Sequence, residues 1–182
     1  MRLVTDRLLI RAITPDDKSK LFEYRKDKET NRYQGWIPET IDDVELFIDK
    51  VAKQINMPDT WFQLVIVEME LETVIGDIGI HFIGEENNQV EIGCTLNKSF
   101  HKRGYATEAF KAVIDYLFAE LNKHRIIASV DPANVGSIEL VERIGFRKEA
   151  HFVESLFING EWVDDVVYAL LKKEWRIKKS KE

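Results

Sequence analysis

Apolar residues recur along this chain with two periods, and each change of period marks a new element. "RLLIRAI" alternates as a first strand, after which "TPDD" starts a helix, with Thr14 as N-cap and Pro15 in its first turn, that runs to about Lys26. In "TIDDVELFIDKVAKQI", Val44, Phe47, Ile48 and Val51 are spaced by three and four, so they share one face of a second helix. "WFQLVIVEM" and "TVIGDIGIHFI", separated by polar "ELE", predict a hairpin, and "QVEIGCTL" the next strand. From Gly104 the period lengthens again, with Phe110, Val113, Ile114, Leu117 and Leu121 along one helical stripe. "RIIASV" then predicts a short buried strand, "NVGSIELVERI" a short helix ending at Gly145, and "HFVESLFI" with "DDVVYALL" a last strand pair. Asn159-Gly160 between them is the signature of a type I′ hairpin turn. The order β-α-α-β-β-β-α-β-α-β-β predicts an α+β fold with helices on a mixed, mostly antiparallel sheet of about seven strands.

Length and composition narrow this picture. The 182 residues suit one domain, taken as 1–175, and the closing "KKEWRIKKSKE" predicts a charged, solvated tail over 176–182. With 45% apolar and 32% charged residues the chain has the balance of a soluble globular protein. A net charge of −6 argues against nucleic acid as a partner and suits a cationic small substrate better. The N-terminal "MRLVTDRLLIRAI" is too interrupted by charge for a signal peptide, and no apolar run is long enough for a membrane span, so the expected location is the cytoplasm. Cys94 is the only cysteine and the four histidines are scattered, so neither a disulfide nor a metal site is expected.

One join stands out. In "NKSFHKRGYATEAF" a strand feeds a glycine-containing loop and then a helix, which leaves helix N-terminal amides without intrahelical partners where the dipole favours an anion. Gly104 allows close approach of a ligand to the backbone, and Lys102 and Arg103 add positive charge. The loop alone reads equally as a diphosphate site or as an ordinary turn with two solvated cations. A second helix start follows a strand in "DPANVGSIELVERIGF", where Asn134, taken alone, reads most simply as an N-cap.

The two segments together resemble the GNAT superfamily of acyl-CoA-dependent N-acyltransferases, and the resemblance covers nearly the whole chain. Its cofactor-loop pattern, Gln/Arg-x-x-Gly-x-Gly/Ala, falls on His101, Lys102, Arg103, Gly104, Tyr105 and Ala106; His101 departs from the pattern and the glycine and final small residue keep it. The second hallmark matches at Asn134, Leu140, Gly145 and Phe146. "TDRLLIRAITPDD", "GWIPET", "VEIGCTLNKSFHKRGYATEA" and "NVGSIELVERIGF" look like the branch that contains the ribosomal-protein N-terminal alanine acetyltransferases. That branch acts on many amines, so the resemblance implies an amine acceptor, either a small molecule or a protein N-terminus, without choosing one.

The resemblance implies a GNAT fold with a V-shaped splay between "QVEIGCTL" and "RIIASV", the fourth and fifth strands of the predicted order. Acetyl-CoA would lie in the splay and leave as CoA, its pantetheine paired with the backbone of Cys94, Thr95 and Leu96 and its diphosphate on the amides from about Lys102 to Thr107. Many relatives carry a tyrosine acid seven positions after the asparagine; here that residue is Val141, which cannot donate a proton. The branch implies Ser137 instead, hydrogen-bonding the departing thiolate, with Asn134 holding cofactor amides near the thioester. Glu91, at the start of the cleft strand, is the candidate base, with Asp164, Asp165 and Glu154 as alternatives; each reads equally as an exposed strand carboxylate. Tyr33 and Trp36 are candidates for walls of the acceptor pocket, although aromatic residues in such a segment are more often core or staple contacts. The chain is expected to act as a monomer or homodimer. The competing expectation is a CoA-binding regulatory module with little turnover.

Overall fold

The third strand is buried on both faces, and this fixes the layering. The computed structural model describes residues 1–180. In β3 (Thr60–Glu68), Phe62, Leu64 and Ile66 point into one apolar cluster while Val65 and Val67 join another, as the two-residue period of a strand requires. The larger cluster takes Ala109, Phe110, Val113, Ile114, Leu117 and Phe118 from α3 (Tyr105–Ala119). The smaller one takes Leu21 and Tyr24 from α1 (Lys18–Arg25) and Val44 and Ile48 from α2 (Ile41–Lys50). Helices therefore cover both faces. Each fully buried Ile, Leu or Phe contributes about 1.5–3 kcal/mol relative to leaving it exposed.

Among the described residues the strands form one sheet of eight, in the order β1-β2-β3-β4-β5-β6-β8-β7. The remaining strands are β1 (Arg2–Val4), β2 (Leu8–Ala12), β4 (Thr73–Ile83), β5 (Gln89–Leu96), β6 (Arg125–Val130), β7 (Arg147–Ile158) and β8 (Glu161–Leu171). Every pairing is antiparallel except that of β5 with β6. Asn159 and Gly160 both have positive φ, 53° and 89°, as a type I′ turn between β7 and β8 requires. The eighth strand is β1, a three-residue pairing with β2 too short to show a period of its own.

Two ends differ from the sequence reading. Thr14 opens a 3₁₀ turn, Pro15–Asp17, ahead of α1, and its hydroxyl donates to Asp17 Oδ2 at 2.9 Å in place of accepting from a helix amide. Asp17 is buried because Arg11 holds it with two bonds of 2.7 Å. The charged C-terminal stretch forms a helix, α5 (Lys172–Lys179), none of whose residues is buried, with residues 181 and 182 outside the described range. Trp175 anchors it by packing near Phe118, with ring centroids 5.5 Å apart, and by donating Nε1–H to Asp115 Oδ1 at 2.6 Å. Lys178 Nζ donates to Ile144 O at 2.6 Å, satisfying a carbonyl at the end of α4 (Val135–Ile144). No helix among the described residues is long and apolar enough to cross a membrane.

Candidate active site

β5 and β6 run side by side for only three residues. Gln89, Val90 and Glu91 pair with Arg125, Ile126 and Ile127, after which the strands part while β5 stays bonded to β4 through to Leu96. The edge of β5 from Ile92 to Leu96 that faces away from β4 is thus left without a strand partner, and the sheet opens into a V. A cleft of about 740 Å³ lies at this opening, bordered by β5, the start of α3, the start of α4 and the segment between α1 and α2. A smaller cavity of about 110 Å³ continues from it between Ile92–Cys94 and Ala128–Val130, and the two share Tyr33, Gln34, Cys94, Asn134, Ser137 and Leu140.

The loop into α3 is shaped to present amides. Gly104 takes φ +81° at the N-cap, where a residue with a Cβ would be strained, and Lys102 has φ +60°. The first bonded amide of the helix is that of Glu108, to Gly104 O at 3.0 Å. The amides of Tyr105, Ala106 and Thr107, all residues lining the cleft, are consequently free of intrahelical acceptors. His101 folds back along the preceding strand, and its Nε2 donates to Leu96 O at 2.8 Å. Its ring thereby fastens the loop to the end of β5, a job that needs a side chain but not the one the family pattern prefers. Arg103 leans over Phe100, 5.6 Å from the ring centroid, and lines neither cavity.

At the opposite wall Asn134 caps α4, accepting from Ser137 N–H at 3.2 Å. The simple N-cap reading of Asn134 is thus present, and the residue also borders both cavities. Ser137 borders both as well, and among the described residues its hydroxyl has no hydrogen-bond partner. Val141 is buried and lines only the smaller cavity. Two contacts tie the α1–α2 segment across the cleft. Tyr33 Oη donates to Ala133 O at 3.1 Å, and Lys98 Nζ lies 2.6 Å from Asp27 Oδ2, a hydrogen bond that pulls the Asp27 carboxyl down to about 2.

Glu91 sits at the apex of the V. Burial pushes its carboxyl above the ordinary value; His81 opposes the shift and Asp165 adds to it. Asp165 accepts from Ser129 Oγ at 2.6 Å. Asp164 is already engaged, by His151 Nε2 at 2.7 Å and by Glu154 N–H at 2.8 Å, and Glu154 is exposed. Cys94, on the floor between the two cavities, has its thiol pushed well up by burial and by the nearby Asp77 carboxylate, so it remains protonated.

A family model described as acetyltransferase (GNAT) domain matches residues 7–147. The chain belongs to the GNAT acetyltransferase family. Uncharacterized N-acetyltransferase YnaD of Bacillus subtilis is 34% identical over 179 residues, covering 96% of this chain and 99% of that protein. The crystal structure of an acetyltransferase (GNAT family) from Bacillus anthracis superposes with a TM-score of 0.86 at 30% identity, covering 96% of this chain and 100% of that one. The [ribosomal protein uS5]-alanine N-acetyltransferase of Escherichia coli is 26% identical over 184 residues, covering 96% of this chain and 93% of that protein.

Most of the residues that the GNAT resemblance pointed to come together in the cleft: Cys94 to Leu96, His101, Lys102, Gly104 to Thr107, Asn134, Ser137 and Tyr33 all line it. Trp36 does not. It stacks on Phe47 with centroids 4.5 Å apart and carries the Arg25 guanidinium at 5.4 Å, which makes it part of the α1–α2 core. Glu91 lines neither cavity. The sequence reading missed Arg143, a cation in the last turn of α4 that lines the cleft and reaches Thr107 Oγ1 at 3.4 Å. Its signal was the helical spacing of three from Ser137 to Leu140 and of three again to Arg143, which puts the three residues on one side of α4.

Proposed function

We propose that this GNAT protein transfers an acetyl group from acetyl-CoA to a primary amine by direct attack. The reading rests most on one juxtaposition: an unpaired strand edge, Ile92–Leu96, leads straight to a helix start with unbonded amides, and both border a single cleft. The free edge suits the two amides of a pantetheine arm, which would add to it like a strand. The amides of Tyr105 to Thr107, with Lys102 and Arg143 at the rim, suit the diphosphate. Acetyl-CoA would supply the acetyl group as an activated thioester.

The chain's own residues then have three tasks. Glu91, with a carboxyl raised by burial but lining neither cavity, accepts through water the proton that the attacking amine must lose. The free Ser137 hydroxyl donates a hydrogen bond to the sulfur as its bond to the acetyl carbon breaks. Asn134, with its side-chain oxygen committed to capping α4, fixes the position of Ser137. Cys94 is the chain's only cysteine and stays a thiol, which argues against an acetyl-cysteine relay and for direct transfer. The acceptor is a small-molecule amine or a protein N-terminus. The E. coli relative named for a ribosomal-protein alanine favours including N-terminal peptides among the candidates.

A screen of amines and N-terminal peptides for acetyl-CoA-dependent thiol release tests the proposal. Release with at least one acceptor is the expected result. Tight CoA binding with no release across the screen would favour the CoA-binding module, a reading supported by Val141 standing where a proton donor would be useful.

A further inference from the structure

Outside the cleft, one guanidinium touches three residues of the loop and helix start that form it, Arg103, Tyr105 and Glu108. Arg7, between β1 and β2, donates Nε–H to Glu108 Oε2 at 2.8 Å, and its terminal nitrogen lies 2.6 Å from the same oxygen. Its other terminal nitrogen donates to Arg103 O at 3.1 Å. The guanidinium lies over the Tyr105 ring, 4.3 Å from the centroid. It also stands where it would be 3.4 Å from a Cβ added at Gly104. Glu108 is held from the same segment by Thr5 Oγ1 at 2.6 Å and by the Arg7 amide at 3.1 Å. Arg7 lines neither cavity.

We infer that Arg7 is a positioning residue for the anion loop, setting from behind the direction in which the amides of residues 104–107 point. The inference rests on the proposed CoA reading of the cleft. Arg7's side chain is 42% exposed and that of Glu108 18%, and an ion pair with one partner in solvent contributes only modestly to folding. So many contacts from one exposed side chain are therefore poorly explained by stability. They are well explained by geometry. A planar guanidinium can pair with a carboxylate, donate to a carbonyl and stack on a ring at once, which a lysine cannot do. With Arg103 O and the Tyr105 ring held on either side of it, Gly104 keeps its left-handed conformation, and the amides after it stay aimed into the cleft.

The test compares CoA with pantetheine, which lacks the diphosphate, as titrants of the full chain, followed by amide chemical shifts and by calorimetry for CoA. Arg7→Ala is expected to weaken CoA roughly tenfold and to leave pantetheine within about twofold of the unmutated protein. Arg7→Lys, which keeps the charge beside Glu108 and loses the stack and the second donor, is expected to fall between, near threefold for CoA, by the same reasoning. A merely structural role would weaken both titrants together. Equal losses for the two, or unchanged CoA affinity in Arg7→Ala, would overturn the inference; absence of CoA binding by the unmutated protein would overturn the reading of the cleft and this inference with it.

Discussion

Glu91 Oε2 lies 4.0 Å from His81 Nδ1, and the His81 ring in turn lies flat on Trp61, centroids 4.8 Å apart and planes 7° from parallel. The two side chains face each other across β4 and β5, where His81 and Glu91 are register partners. The stack limits how the imidazole can turn, so the ring is held in a fixed place beside Glu91.

A pH dependence follows if Glu91 takes the proton. Burial raises its carboxyl, so the basic form is gained above the ordinary carboxylate range, and kcat/KM should climb with pH through that raised value. Protonated His81 lowers the Glu91 pKa and Asp165 raises it. His81→Gln should therefore move the acid limb to higher pH, and Asp165→Asn to lower pH. Glu91→Gln should reduce kcat/KM by about 10²-fold or more. Acid limbs that coincide in the unmutated protein and both neighbouring variants would take Glu91 out of proton transfer.

Ser137→Ala separates catalysis from binding. The hydroxyl is unpartnered among the described residues, while its amide is fixed by Asn134, so removing the oxygen should leave α4 intact. A hydrogen bond that strengthens as the thiolate forms lowers kcat when lost and spares ground-state affinity. We expect kcat to fall about tenfold or more with CoA affinity unchanged. Calorimetry beside steady-state rates reads both, and equal kcat in the two proteins removes Ser137 from the mechanism.

The site was legible where backbone geometry carries it. Gly104 and the period change after it marked a strand-loop-helix join, and Asn134 and Gly145 bracketed a short helix with caps visible as residue types. The splay was legible only through the family resemblance, because nothing local in "QVEIGCTL" says that a neighbouring strand leaves after Glu91. The helix at the C-terminus was not legible. "KKEWRIKK" has so few apolar residues that its helix gives no stripe, yet Trp175 finds Asp115 and Phe118, Lys179 also bonds Asp115, and Lys178 finds the end of α4. Trp36 was ambiguous because an aromatic between two helices can be a pocket wall, though it is more often a core contact, and here it stacks on Phe47.

Gly104→Glu probes the loop directly. The backbone there is left-handed, so any side chain is strained by about 1–2 kcal/mol, and a glutamate would leave the backbone beside the Arg7 guanidinium, 3.4 Å from the new Cβ, bringing a negative charge to the loop whose amides are offered to the diphosphate. Gly104→Ala carries the strain without the charge. CoA affinity should fall by about 100-fold or more in Gly104→Glu and by much less in Gly104→Ala, with both proteins folded by circular dichroism. Equal losses in the two would assign the effect to backbone strain and count against the anion site.

Asp77 links the fold to the cleft. Fully buried on β4, it accepts from Tyr24 Oη at 2.6 Å, Arg25 Nε at 3.0 Å and Gln63 Nε2 at 2.6 Å, and forms a second, shorter contact with Arg25. These bonds fasten the end of α1 to the sheet, and Asn31, whose amide donates to Tyr24 O at 2.8 Å and Arg25 O at 3.1 Å, carries the anchor into the segment that borders the cleft. Asp77→Ala leaves a buried arginine unpaired, for which the expected loss is about 3–5 kcal/mol in urea unfolding. Asp77→Asn keeps one acceptor oxygen and should lose less. If the anchor positions the segment, Asp77→Asn should also weaken CoA while most molecules remain folded. Unchanged affinity together with lowered stability would confine Asp77 to the core, leaving the Tyr33–Ala133 and Lys98–Asp27 contacts to hold that side of the cleft.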